Sequence, residues 1–216
     1  ITGGGAFDGT RTNGQLRIWN WNGVTLTLEK SEQWYTTGST SVYSVYASDV
    51  DGDGTIEIIT GGYAYDGSRN NGQLRIWNWV SSTLTLEKTY EWYTTGTTRI
   101  YSVYAADVDG DTIVEIVTGG MANDNTRDNG QLRIWNWNDG TDILTLETST
   151  EWYTSGNTEA RSVYALDVDA DTTVEILAGG KAFISPRDNG QLRIWNWNGA
   201  SLTLEKTYEW SPTGNT

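Results

Sequence analysis

The sequence predicts an all-β fold, a β-propeller segment of about four four-stranded blades. Three observations carry that expectation. First, "NGQLRIWNW" occurs four times, beginning at Asn13, Asn71, Asn129 and Asn189, so the repeat steps by 58 to 60 residues. That period is too long for most solenoids and suits one four-stranded blade. Second, no stretch of helix length carries a helical apolar stripe, whereas Val-, Ile-, Tyr- and Trp-rich runs bounded by Gly, Asn, Ser and Thr recur throughout. Third, an acidic frame keeps step with the repeat, as "DVDGDGTIE" at 49–57, "DVDGDTIVE" at 107–115 and "DVDADTTVE" at 167–175.

Within one repeat the first strand is read at 41–50, "SVYSVYASDV", and the acidic frame follows it. The second strand is read at 55–62, the third at 72–79 and the fourth at 83–92. Along the third strand Leu74 and Ile76 point one way, and Gln73, Arg75, Trp77 and Trp79 the other. Large groups on both faces are expected where a sheet lies between two neighbours. The two prolines, Pro186 and Pro212, fall in expected loops and break no strand. The Asn-Gly pair opening each third strand reads as a tight-turn signal.

The whole of 1–216 is read as one segment, with blades at 41–98, 99–158 and 159–216. Residues 1–40 make a partial blade without its first strand, because "ITGGGAF" aligns with "ITGGYAY". Fifteen strands fall short of closed blades, and an open array exposes strand edges. The expectation is therefore a chain working within something larger, either further blades of a longer propeller or copies packed end to end.

Composition removes several chemistries. The 216 residues include no cysteine and no histidine, which excludes disulfides, thiolate nucleophiles, His-based triads and Cys/His zinc sites. The formal charge of −14 argues against a nucleic-acid partner, which needs a basic face. Twelve of the 28 acids lie in the three frames, so the charge is concentrated where cations would sit. No apolar run approaches the ~20 residues that cross a bilayer, and membrane insertion is not expected. The chain opens "ITGGGAF", without initiator Met or signal peptide, and reads as mature, trimmed or incomplete.

The twelve tryptophans fall three per repeat. They are read as packing between blades in preference to sugar-stacking platforms, since large flat rings fill the wedge between splayed sheets. Arg11, Arg69, Arg127 and Arg187 recur in the loop before each third strand and are read as braces rather than as a ring for an acidic ligand. Arg17, Arg75, Arg133 and Arg193 lie within the third strands, where stacking on Trp or pairing with glutamate is expected. Paired carboxylates can hydrolyse glycosides, but here every carboxylate cluster repeats with the blade. No catalytic residue is assigned. The loops "MANDN" (121–125) and "KAFIS" (181–185) vary between repeats, as a binding surface would.

Calcium takes 6–8 oxygen ligands, and a loop offering them at alternate positions can wrap the ion. In the first frame Asp49, Asp51 and Asp53 supply positions 1, 3 and 5, the carbonyl of Thr55 position 7, and Glu57 closes at position 9. Gly54 permits the sharp bend. Four carboxylates this close repel one another without a cation. The competing reading is a solvated acidic turn.

"DVDGDGTIEI" followed by "ITGG" resembles the FG-GAP/VCBS repeat family, including the calcium-binding blades of integrin alpha-subunit propellers, over essentially the whole chain. The resemblance implies three Ca2+ sites, each in the loop between first and second strands. The second set would be Asp107, Asp109, Asp111, Ile113 and Glu115; the third would be Asp167, Asp169, Asp171, Thr173 and Glu175. Thr112 and Thr172 replace the glycine at position 6, and Ala170 replaces that at position 4, so those loops are expected to be strained or weaker. The function implied is a calcium-stabilised, non-enzymatic propeller, extracellular or on the cell surface, serving adhesion or binding a glycan or protein ligand. The alternatives are the propeller of a secreted polysaccharide lyase or hydrolase, and a structural subunit of an extracellular assembly.

Overall fold

The computed structural model describes residues 1–211, which form 15 β-strands in four antiparallel sheets. Apart from a 3-10 turn at Asp139–Thr141 there is no helix among the described residues. The first sheet has three strands, β1 (Thr2–Phe7), β2 (Thr12–Trp21) and β3 (Leu26–Trp34). The second has β4 (Thr40–Ser48), β5 (Glu57–Tyr65), β6 (Asn70–Val80) and β7 (Thr83–Trp92). The third has β8 (Thr98–Ala106), β9 (Glu115–Asn123), β10 (Asp128–Asn138) and β11 (Ile143–Trp152). The fourth has β12 (Thr158–Leu166), β13 (Glu175–Ile184), β14 (Arg187–Trp197) and β15 (Leu202–Trp210). Each sheet is a meander in chain order, and the sheets do not close into a barrel.

The expected strands of the repeat are present, the fourth at 83–92 as read and the other three with boundaries moved by one to three residues. Pro186 sits in the turn between β13 and β14; Pro212 lies outside the described residues. One expectation is corrected. The Asn-Gly pairs lie inside β2, β6, β10 and β14, not in turns. The turn comes earlier, and in the first three repeats an aspartate makes it: Asp66 Oδ1 accepts the N–H groups of Ser68 and Arg69 at 2.7 and 2.9 Å. The glycine serves packing instead, since a Cβ on Gly130 would stand 2.6 Å from the Trp152 ring.

The core is three slabs, one between each pair of successive sheets. Leu16, Ile18 and Trp34 meet Val42, Ile58 and Trp77 in the first slab. Leu74, Ile76 and Trp92 meet Ile100, Val103 and Trp135 in the second. Leu132, Ile134 and Trp152 meet Val163, Ile176 and Trp195 in the third. The predicted two-sided use of the third strand is thus present. Sheets come closest at their first strands, β4 against β8 and β8 against β12. There Tyr46, Tyr104 and Tyr164 pack in a row of tilted rings with centroids 4.7 and 4.5 Å apart.

Each first strand carries a β-bulge, at Val42/Ser44, Ile100/Ser102 and Ala160/Ser162. The bulge drives a carbonyl toward the second strand. A Cβ on Gly62, Gly120 or Gly180 would lie 1.9–2.0 Å from the carbonyl oxygen of Ser41, Arg99 or Glu159. The second glycine of each GG pair is therefore dictated by backbone contact.

Candidate metal centres

Each acidic frame fills the gap between a first and a second strand, as expected. Its first aspartate organises the loop. Asp49 accepts Gly52 N–H at 2.8 Å on one oxygen and Gly54 N–H at 3.0 Å on the other. Asp107 does the same with Gly110 and Thr112 at 2.7 and 3.0 Å, and Asp167 with Ala170 and Thr172 at 2.7 and 3.1 Å. Thr55, Ile113 and Thr173 donate their N–H groups to Asp53, Asp111 and Asp171 at 2.6, 2.7 and 2.8 Å. The closing glutamates Glu57, Glu115 and Glu175 are buried, and each accepts the N–H of Val50, Val108 or Val168 at 2.9 Å.

These bonds fold three separated carboxylates onto one point. Oxygens of Asp49, Asp51 and Asp53 come within 4.8 Å of one another, as do those of Asp107, Asp109 and Glu115, and of Asp167, Asp169 and Glu175. Glu57, Asp111 and Asp171, expected as ligands, stand outside these triples. Glu57 nevertheless holds its Oε1 buried with no hydrogen-bond partner.

Burial, followed by the negative charges of Asp51, Glu87 and Asp53, pushes the Glu57 carboxyl up to about 7 against the opposing Val50 N–H. Burial likewise takes Glu115 up to about 8, with Asp109, Glu147 and Asp111 adding to it. A carboxylate forced toward neutrality by burial and like charge is one that a cation would restore. The donor set is all oxygen and anionic, which fits a hard divalent ion and no soft one. Three acidic groups able to hold a metal ion are therefore present.

Sequence reasoning missed a further carboxylate beside each group. Glu147 is raised by burial and then by Asp109; Glu205 is raised by burial and then by Glu175 and Asp169. With Glu87 they occupy one position of the fourth strand. The signal was available, because "LTLE" recurs at 84–87, 144–147 and 202–205.

The other end of the array carries the loops between second and third strands. The Arg69 side chain donates to the Thr95 carbonyl at 2.5 Å, and Arg11, Arg69 and Arg127 lie over Tyr35, Tyr93 and Tyr153 at 4.4–4.5 Å. These arginines brace the neighbouring loop. A groove of about 330 Å3 opens here, lined by Ser68, Arg69, Thr95, Gly96, Thr97, Asn123 and Asn125. Most tryptophans are buried in the slabs; Trp21 and Trp210, on the end sheets, are exposed. Two non-repeating acids are held by cations: Glu159 by Arg161 at 2.5 Å and Lys181 at 3.2 Å, and Asp142 by Lys88 at 3.2 Å.

Fold and site together define an all-β protein of repeated antiparallel sheets with an acidic cluster in each complete repeat. No protein-family model and no curated protein matches the chain.

Proposed function

We propose that the chain is a section of a calcium-stabilised β-propeller of the FG-GAP/VCBS kind, working outside the cell as a non-enzymatic scaffold that binds a glycan or protein ligand. The observation that carries this reading is the threefold recurrence of a carboxylate cluster at one junction of the repeat, with a buried glutamate in the second and third clusters and in the same frame as the first. Meander sheets stacked face to face and drawn together at their first strands support the propeller architecture. Calcium is favoured over magnesium because a flexible, carboxylate-rich loop suits 6–8 ligands better than a rigid octahedron.

Metal and ligand surfaces are separated. The clusters lie at the end of the first-to-second strand loops, and the polar groove lies at the opposite end, among loops that differ between repeats. On this reading calcium fixes the scaffold and the variable loops choose the partner. Calorimetric titration of metal-stripped protein tests the metal assignment. Three calcium equivalents are expected, falling to two in Asp49→Ala. Absence of calcium binding, or a stoichiometry unchanged by that substitution, would overturn it.

A further inference from the structure

One patch on the first and second strands differs from sheet to sheet. "NGQLRIWNW" recurs unchanged in every repeat, yet Ser41, Arg99 and Glu159 share one first-strand position, and their partners across the ladder are Tyr63, Met121 and Lys181. Two places on, the bulge residue is Tyr43, Tyr101 or Arg161. Each bulge sits on the edge strand of its sheet and leaves that residue out of the ladder, which re-aims its side chain. A residue that only holds the fold has the same task in each repeat. Change concentrated at adjoining positions points instead to a ligand.

The side chains meet across three sheets. The Tyr43 ring lies 5.6 Å from that of Tyr63 in its own sheet and 5.6 Å from that of Tyr101 in the next. The Arg99 guanidinium is 5.6 Å from the centre of the Tyr63 ring and pairs with the Tyr101 hydroxyl. Arg161 lies over Tyr101 at 5.1 Å, and the buried Glu159 pairs with both Arg161 and Lys181. Tyr43 is 47% exposed, Arg161 is exposed, and Arg99 and Tyr101 are half-buried. Tyr43, Arg99 and Tyr101 belong to the second and third sheets, each packed on both sides, so their exposure owes nothing to an end sheet.

Three cations here face one carboxylate, in a chain of net charge −14. The acidic frames begin six residues further along the same strands, at Asp49, Asp107 and Asp167, roughly 20 Å of extended chain away. Salt screens exposed charges within about 8 Å at physiological strength, so the frames do not cancel the patch.

We propose that this patch binds an acidic glycan, with the Tyr43 ring against a sugar face and Arg99, Arg161 and Lys181 taking its carboxylate or sulfate. An aromatic ring set among guanidinium groups meets both features of such a sugar, the C–H face and the anion. A stable protein partner would need about 800 Å2 of this surface and an apolar centre, whereas the half-exposed ring here stands among cations. The proposal deepens the ligand-binding reading above, on which it rests, and makes no use of the metal.

Calorimetric titration at physiological salt tests it with four probes: short oligomers of galacturonate, of sulfated galactose and of unmodified galactose, and a polyglutamate peptide. Folding of each variant is checked by circular dichroism. One or both charged sugars should bind in preference to the neutral one and to the peptide, and which of them binds separates carboxylate from sulfate. Arg99→Gln and Tyr43→Ser should each weaken binding by about tenfold, the loss of one charge-assisted contact or one aromatic anchor. Glu159→Gln frees Arg161 and Lys181 and should tighten it, which no loss of folding could do. Lys206→Gln removes an exposed positive charge elsewhere and should leave binding unchanged. Neutral galactose bound as tightly as the charged sugars, and unaffected by Arg99→Gln, overturns the assignment while glycan binding stands. Preference for polyglutamate, or equal losses in Lys206→Gln and Arg99→Gln, also overturns it. No binding of any oligosaccharide overturns it together with the glycan half of the broader reading.

Discussion

Thr112 holds φ at 77°, and Ala170 and Thr172 hold 64° and 79°. The first frame places Gly52 and Gly54 at the corresponding positions, with φ of 77° and 89°. Left-handed backbone costs an L-residue about 1 kcal/mol, more for a β-branched one. The first loop is therefore expected to bind calcium most tightly and the third most weakly. Thr112→Gly should raise stability by about 1 kcal/mol in urea denaturation. Ala170→Gly with Thr172→Gly should bring the third site toward the first in a calcium titration read loop by loop. Filling of the 167–175 site ahead of the 49–57 site would refute the ranking.

Asp66 supplies a second test at the same scale. Hydrogen bonds from the Arg69 and Ser68 backbone N–H groups hold its carboxyl down to about 2, and the Asp124 carboxyl is held there chiefly by the Thr126 hydroxyl. A folded-state value below the ordinary 3.8 means that the stabilisation is complete above that value and is lost as pH falls toward 2. Asp66→Ala should therefore melt below wild type at neutral pH, with the difference narrowing as pH falls from about 4 to 2. A difference that stays constant through that window would show that the carboxylate is not the stabilising group.

Between elements, successive sheets share one repeated joint, in which Trp34, Trp92 and Trp152 donate the indole N–H to Gln73, Gln131 and Gln191 of the next sheet. Gln131→Ala would leave the Trp92 indole N–H buried without an acceptor, at a cost of about 1–3 kcal/mol. Gln15→Ala, the same change where the glutamine is partly exposed, should stay within about 0.5 kcal/mol. Equal losses at the two positions would mean that the hydrogen bond contributes nothing.

These joints also mark where sequence reading stops. The strand parse, the sandwiched third strand and the loop position of the acidic frames are readable because side-chain alternation and a 58-residue step leave few alternatives. The Asn-Gly turn is misread because a local dipeptide preference yields to Asp66 capping and to a Trp ring seated on the glycine. The bulges at Tyr43, Tyr101 and Arg161 carry no side-chain signature. They are visible only through the glycines opposite them, and Gly62→Ala should unfold the second sheet through its clash with the Ser41 carbonyl. In the acidic frames spacing gives the ligand types. It does not say that Asp53 converges in the first loop while glutamate does so in the other two, because that depends on how each bend places its carboxylate.

For the molecule as a whole, four sheets are joined in succession by three core slabs, and each acidic loop connects the first and second strands of its own sheet. A metal ion held there would couple its binding to the pairing of those two strands. We propose no polysaccharide turnover, because among the described residues the carboxylate clusters recur with the repeat and the non-repeating Glu159 and Asp142 are ion-paired; product release abolished by Glu159→Gln would contradict this. A calcium ion present at 100 times its dissociation constant contributes about 2.7 kcal/mol, so three contribute roughly 8, much of a typical domain's stability of about 5–15. The most direct measurement is thermal unfolding at neutral pH in excess calcium and again in excess chelator. At about 2–4 °C per kcal/mol for a chain of this size, chelation is expected to lower the midpoint by about 15–30 °C. Superimposable melting curves in the two buffers would contradict the proposal that the acidic frames are calcium sites holding the fold.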